Sequence, residues 1–272
     1  MNLSDTPDAT IAAPVHDPQR PNVARMYDYF LGGKDNFPAD REEADKIIRA
    51  VPYLPRLAVA NRTFLARVVR YLAREAGVRQ FLDIGSGLPT RQNVHEVAQE
   101  IIPGARVVYV DNDPLVRAHA TAILATTPTT YALTGDLRLS EEIVRAAGRY
   151  LDLSEPVGVL LFAVLHFFPD GGAHDPYEIT GTLLRALAPG SYLAVSHLEP
   201  TPAMIAASLH YTPADVVFRD HAQVSRFFTG TRLVDPGVVR LNEWRPVDHD
   251  PVFPSDHPDI PVWVLGGVGR KP

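Results

Sequence analysis

Between Gln80 and Ser196 the chain repeats one unit: a short apolar run, a turn bearing glycine or an acid, then a stretch of helical periodicity. Residues 80–84, 106–110, 130–133, 157–162 and 192–196 read as strands. The intervening stretches 92–101, 115–124, 141–147 and 179–187 read as helices. Strands that alternate with helices form parallel sheets, because a parallel connection needs a crossover long enough to hold a helix. The expected fold class is therefore α/β, a doubly wound, mostly parallel sheet. Beyond Pro202, helices are expected at 203–209 and 222–228, then strands at 238–244 and 262–267 with no helix between them. Such a pair forms an antiparallel hairpin at the sheet edge, which brings the sheet to seven strands. The connection over 245–261 is proline-rich and not a tight turn.

The region before the first strand is of another kind. Residues 1–21 are polar and proline-spaced, and are expected to be a mobile tail. A helical cap is expected over 22–78: a helix from Val23 to Leu31 stopped by Gly32-Gly33, a second capped by Asp40, and a long amphipathic helix from Asn61 to Ala76. The domain proper is then 79–272.

Composition excludes several classes. The chain has no cysteine, so disulfides, thiolate nucleophiles and thiolate metal sites are ruled out. Its 32 acidic against 26 basic side chains give a net charge of −6, which does not favour a nucleic-acid partner. No apolar run is long enough to cross a membrane, and the first residues lack the basic and apolar pattern of a secretory signal, so a cytoplasmic location is expected.

The chemistry lies where strands end. The first strand runs into Asp83-Ile84-Gly85-Ser86-Gly87, a turn in which glycine lets the backbone bend sharply and approach a ligand. The second ends at Asp111-Asn112, where an acid can accept hydrogen bonds from both hydroxyls of a ribose. The third ends at Gly135-Asp136-Leu137, where an acid can accept from an exocyclic adenine amine. Taken singly, each acid has a plainer use as a cap or turn residue. Together they share the carboxyl edge of one sheet, where α/β folds bind ligands.

This order of residues resembles the Rossmann-like S-adenosylmethionine-dependent methyltransferases. The resemblance implies a seven-stranded sheet with a terminal antiparallel pair, S-adenosylmethionine as cofactor, and cofactor contacts at Asp83, Gly85, Ser86, Gly87, Asp111, Asn112, Asp136, Leu137 and Ala163. The chain departs from the dinucleotide pattern, since the third glycine of GxGxxG would fall at Thr90. Pro89 stands where the methyltransferase pattern has a third small residue. A nicotinamide cofactor needs a helix N-terminus for its pyrophosphate, whereas S-adenosylmethionine carries no phosphate. The segment Tyr27-Asp28-Tyr29-Phe30-Leu31-Gly32-Gly33-Lys34-Asp35-Asn36-Phe37, with Ala60-Asn61-Arg62, is similar to the signature of a bacterial S-adenosyl methyltransferase family of unassigned substrate. The expectation is that Gly33, Lys34 and Asn36 fold over the methionine end of the cofactor. Lys34 or Arg62 would pair with its carboxylate, and Tyr27 would lie over the sulfonium.

On the acceptor side, the fourth strand leads into Ala163-Val164-Leu165-His166-Phe167-Phe168. His166 is the candidate base, since imidazole can take a proton near neutral pH. The (Asn/Asp)-Pro-Pro-(Tyr/Phe) motif of amino-methylating enzymes is absent, and so are HxxxH and HExxH metal patterns. His197 and Glu199 are weaker candidates for chemistry. Phe167, Phe168, Tyr211, Phe227 and Phe228 are candidates for an apolar acceptor pocket. The leading expectation is a methyltransferase acting on a small-molecule acceptor. The alternatives are a protein that binds S-adenosylmethionine without transfer, and a nicotinamide-dependent oxidoreductase.

Overall fold

A computed structural model describes residues 17–90, 92–124, 128–248 and 262–272. In chain order, α1 spans Val23–Phe30, α2 Pro38–Ala50 and α3 Leu54–Arg74. The alternating region follows: β1 Gln80–Ile84, α4 Val94–Ile101, β2 Arg106–Asp111, α5 Pro114–Leu124, β3 Thr130–Thr134, α6 Ser140–Ala147, β4 Gly158–Phe162, α7 Pro176–Arg185 and β5 Tyr192–Leu198. The chain closes with α8 Pro202–Ser208, α9 His221–Ser225, β6 Arg232–Leu233, β7 Val239–Arg240 and β8 Val264–Arg270.

The sheet runs β3-β2-β1-β4-β5-β8-β6, with β7 also paired to β8. The first five strands are mutually parallel, and β8 enters antiparallel beside β5. The order reverses between β1 and β4, so the carboxyl ends of these strands open a crevice there. Every residue of β1 and β4 is buried, because helices cover both faces. One apolar core joins α3 and α4 to the sheet through Phe64, Val68, Leu72, Phe81 and Leu160. The other joins α6 and α7 through Leu82, Ile143, Leu161 and Leu183.

The α/β expectation and the terminal antiparallel pairing stand. The strand expected at 238–244 is shorter. Only Val239–Arg240 pairs with β8, because the chain then turns into a 3-10 helix at Leu241–Glu243 that places Trp244 wholly inside the core. Trp244 packs edge-to-face on Phe64 and Tyr71. Two residues, β6, add a further pairing with β8 that the sequence did not announce. Most of the 245–261 connection lies outside the described residues.

The N-terminal helices also differ in detail. α3 begins at Leu54, a turn and more before Asn61, with Pro55 in its first turn where a missing N–H costs nothing. Asp40 is the third residue of α2, in its first turn, where it accepts the backbone N–H of the N-cap residue Phe37. The same carboxylate pairs with Arg25 at 2.7 Å, both side chains being almost fully buried, and accepts the N–H of Asn22. Residues 1–16 of the expected tail lie outside the described residues. Residues 17–21 are held in place, since the Arg25 guanidinium donates to the carbonyls of Asp17 and Arg20.

Candidate active site

A cavity of about 500 Å³ lies at the carboxyl edge of the sheet, roofed by α1, α2, α3 and α8. It brings together Tyr27, Arg62, Asp83, Gly85, Ser86, Gly87, Asp111, Asn112, Asp136, Leu137, Ala163 and His166, all named from the sequence.

The β1 turn is shaped by two glycines in the left-handed region, at φ +72° for Gly85 and +65° for Gly87. A Cβ on Gly85 would stand 2.7 Å from Val164 Cγ2, so the turn and the β4 loop are in contact. A Cβ on Gly87 would meet no protein atom within 4 Å, which leaves ligand space beside it. After Gly87 the chain does not enter a helix at once. Asn93, whose Oδ1 accepts from Thr90 N–H, caps α4, which starts only at Val94. The helix N-terminus is therefore displaced from the glycines, unlike the arrangement that holds a pyrophosphate.

Asp111 accepts from the N–H of Gly87 at 2.9 Å and of Asp113 at 3.0 Å. It thereby locks the two turns together, and each carboxylate oxygen keeps a lone pair for a ligand. Burial raises the pKa of Asp111, with these two N–H groups opposing it. Asp83 is more deeply buried. Burial lifts its carboxyl to about 7, with Arg62 pulling it down and Asp111 pushing it up. Burial disfavours ionisation of Asp136 too, but hydrogen bonds from the Arg138 side chain and backbone hold its carboxyl below the ordinary value. Arg62, on α3, carries a buried Nε with no hydrogen-bond partner. Its Nη2 donates a long hydrogen bond to Asn93 Oδ1 at 3.5 Å, so the cation in the cavity wall is only partly satisfied by the protein.

Tyr27 lines the cavity from α1, but its hydroxyl is fixed. It accepts from Asn61 Nδ2 at 2.9 Å and donates to the carbonyl of Ala58. Asn61 Oδ1 accepts from Ser196 Oγ, which accepts in turn from Ala163 N–H. Ala163 itself has φ +52°, strained for a residue with a Cβ. This relay ties α1, α3, β5 and the β4 loop around the cavity.

Gly33, Lys34 and Asn36 do not line the cavity. Their turn closes on Asp28 instead, whose carboxylate accepts from Asp35 N–H and Asn36 Nδ2, while Lys34 is exposed. Gly33 is required because a Cβ would overlap the Asp28 carboxylate at 1.9 Å. The expected closure of this turn over the ligand is thus corrected: the signature shapes the loop that follows α1, and α1 with Asn22 supplies the wall. Asn22 caps α1 and donates to Asp113 Oδ2 at 2.8 Å, pinning the helix to the turn after β2.

His166 is buried, and its Nδ1 has no hydrogen-bond partner. Burial, then His197 and Arg219, hold its pKa well below the ordinary histidine value, so the ring is neutral. Arg219, which sequence reasoning missed, is the residue that organises the loop around His166. Fully buried, it donates to the carbonyls of Leu165 and Phe168, to Asp170 Oδ1 and to His197 Nε2. It clamps the loop that carries His166. His197 Nδ1 donates to the Leu198 carbonyl, which fixes the tautomer and leaves Nε2 to accept from Arg219. Burial lowers its pKa to about 4. Glu199 pairs with Arg240 at 3.1 Å, so His197 and Glu199 do not converge on one site. No sequence motif marks Arg219, because its partners come from remote segments. Of the aromatic candidates, Phe167, Phe168 and Tyr211 line the cavity, whereas Phe227 and Phe228 belong to the core.

A Rossmann-like sheet with an Asp-x-Gly-x-Gly turn and an acid at each of the next two strand ends defines an S-adenosylmethionine-dependent methyltransferase. The chain belongs to the S-adenosyl methyltransferase family, which it matches over residues 9–272. Two solved structures are similar over nearly the whole chain. A DUF574 family protein from Streptomyces avermitilis is 39% identical with a TM-score of 0.86, over 94% of this chain and 99% of the other. A Thermobifida fusca protein described as a candidate methyltransferase is 41% identical with a TM-score of 0.86, over 97% and 99%. The carbon methyltransferase CurJ shares the fold at 12% identity and a TM-score of 0.55, over 92% of this chain and 71% of its own. No curated protein matches the sequence. The residues present fit the cofactor. The half-buried Arg62 guanidinium, with a buried Nε that has no partner, suits its carboxylate, and Gly87 leaves room beside the acids. Among the described residues no helix is long and apolar enough to cross a membrane.

Proposed function

We propose that the strand-end residues hold S-adenosylmethionine and that the rest of the cavity receives a small-molecule methyl acceptor. Convergence carries this reading: four strand ends, α1 and α3 supply their candidate residues to one cavity. In this assignment Asp111 accepts from the ribose hydroxyls, and Asp136 with Leu137 holds the adenine. Arg62 pairs with the carboxylate of the methionine part and Asp83 with its ammonium. Gly85, Ser86 and Gly87 bring backbone close, while Asn112 and Ala163 complete the wall. Tyr27, immobilised by Asn61, shields the sulfonium. Gly33, Lys34 and Asn36 hold the loop after α1 rather than the ligand. When bound, the cofactor supplies a methyl group activated by sulfonium. His166, neutral and with a cavity-lining ring, accepts the acceptor's proton.

The acceptor is not a nucleic acid in this reading, since the net charge is −6. The location is cytoplasmic, where fractionation of cells would test it. The purified chain is incubated with S-adenosylmethionine and either the small-molecule or the macromolecular fraction of a cell extract. S-adenosylhomocysteine release with the small-molecule fraction is expected. Release with the macromolecular fraction alone sinks the assignment.

A further inference from the structure

The charges that line the cavity all stand at the cofactor end: Asp83, Asp111, Asp113 and Asp136 at strand ends, and Arg62 on α3. The wall built by α1, α2, α8 and residues 211–218 presents Phe30, Ile47, Met204, Ala207, Tyr211 and Phe218. Among the described residues that wall has no charged side chain. Two side chains that line the cavity carry a polar group with no hydrogen-bond partner among the described residues. One is the His166 imidazole, and the other is the Tyr211 hydroxyl.

From this arrangement we infer that the methyl acceptor is a neutral hydroxylated aromatic molecule, methylated on oxygen. The inference rests on the assignment of the uncharged wall to the acceptor. An ion placed against that wall would lose its hydration with no counter-charge, at a cost of several kcal/mol. Primary amines are ammonium ions near neutral pH and are disfavoured with carboxylates and phosphates. A hydroxyl is the small group that both donates to the His166 imidazole and accepts from Tyr211. Burial makes His166 a weak base and raises the Tyr211 pKa, so Tyr211 stays a neutral donor. A weak base selects an acidic hydroxyl: a phenol ionises near 10, far below an aliphatic alcohol. Phe30, Phe167, Phe168 and Phe218 supply ring surface for an aromatic body. In the transfer the phenolic oxygen forms the new O–CH3 bond. The S–CH3 bond breaks with its electron pair left on the thioether sulfur, and the phenolic proton passes to the His166 imidazole, then to solvent as product leaves.

The test titrates the full chain, loaded with S-adenosylhomocysteine, with three probes of one shape: 1-naphthol, 1-naphthoate and 1-naphthylmethylamine. Equilibrium dialysis reads binding without turnover. Naphthol is expected to bind at least tenfold more tightly than either ion. Tyr211→Phe and His166→Asn should each weaken naphthol at least threefold with S-adenosylhomocysteine affinity unchanged, and Met204→Lys should turn the preference toward naphthoate. Equal or tighter binding of either ion to the unmodified chain overturns the inference. So does binding of none of the three by a chain that holds S-adenosylhomocysteine. Loss of S-adenosylhomocysteine binding itself would instead bring down the cofactor assignment, and the acceptor inference with it.

Discussion

Ser196 Oγ donates a 2.6 Å hydrogen bond to Asn61 Oδ1, joining β5 to α3 across 135 residues of sequence. Both side chains are buried, and each has a second obligation: Ser196 accepts from Ala163 N–H, and Asn61 donates to Tyr27. One pair therefore sets the position of the roof relative to the strand ends. A network of this kind is strong when complete and costly when cut.

Cutting it has a measurable consequence. Asn61→Ala leaves the Ser196 hydroxyl without its acceptor and the Tyr27 hydroxyl without its donor. The expected loss is about 2–3 kcal/mol of stability, the range for unsatisfied buried polar groups. Urea denaturation should show a lower midpoint at unchanged slope. A loss below about 0.5 kcal/mol would mean that the relay is not a structural element.

Asp111 and the two glycines test the cofactor turn. Asp111→Ala should weaken S-adenosylmethionine binding by about 1.5–3 kcal/mol in calorimetry, with the circular dichroism spectrum retained. Gly87→Val should abolish binding, since its side chain enters open cavity space from a left-handed backbone position. Gly85→Ala should act on the fold instead, because its Cβ meets Val164 at 2.7 Å. Thermal denaturation separates the two effects, and tight binding by Gly87→Val would remove the turn from the site.

Arg62 and Lys34 are expected to part company. Arg62→Met should cost at least tenfold in S-adenosylmethionine affinity, about 1.4 kcal/mol. Lys34→Met should leave affinity unchanged, since Lys34 is exposed and outside the cavity wall. Equal losses at the two positions would restore the turn after α1 to the binding site.

Asp83 predicts a pH dependence. Its carboxyl is lifted from 3.8 to about 7, so the folded protein holds a proton there that the unfolded chain releases. The stability from this group is present at low pH and is lost as pH rises through about 7. The depressed histidines act in the opposite direction, since His166 and His197 resist protonation in the fold and stability from them is lost as pH falls below about 6.5. Comparison with Asp83→Asn isolates the carboxyl. The ammonium of S-adenosylmethionine favours the carboxylate, so binding should release a proton below about pH 7, and affinity should rise between about pH 5.5 and 8. Calorimetry in buffers of different ionisation enthalpy reads this release, and an unchanged release in Asp83→Asn would assign it elsewhere.

Much of the fold was legible because it follows from local rules. Apolar runs separated by helical periods dictate parallel strands, and the acids and glycines at three strand ends share an edge by topology alone. Hence Asp83, Gly85, Gly87, Asp111 and Asp136, expected from the sequence as cofactor contacts, all line one cavity. The terminal strand pair was legible in kind but not in length. Burying Trp244 against Phe64 ends β7 after two residues, and that is a packing decision between remote segments.

The N-terminal signature shows where sequence reading stops. Its residue types proclaim importance, but not which partner each side chain takes. Asp40 reads as a cap and is also the buried partner of Arg25; Gly33 and Asn36 read as ligand contacts and instead enclose Asp28. Arg219 carries no motif and yet holds the His166 loop through donors to four groups. The sequence by itself determined the periodicity, the turns and the strand-end chemistry, because these depend on neighbours a few residues away. Only the tertiary structure decided who satisfies each buried polar group, because a hydrogen bond inside a core is set by whichever distant element packing brings within about 3 Å.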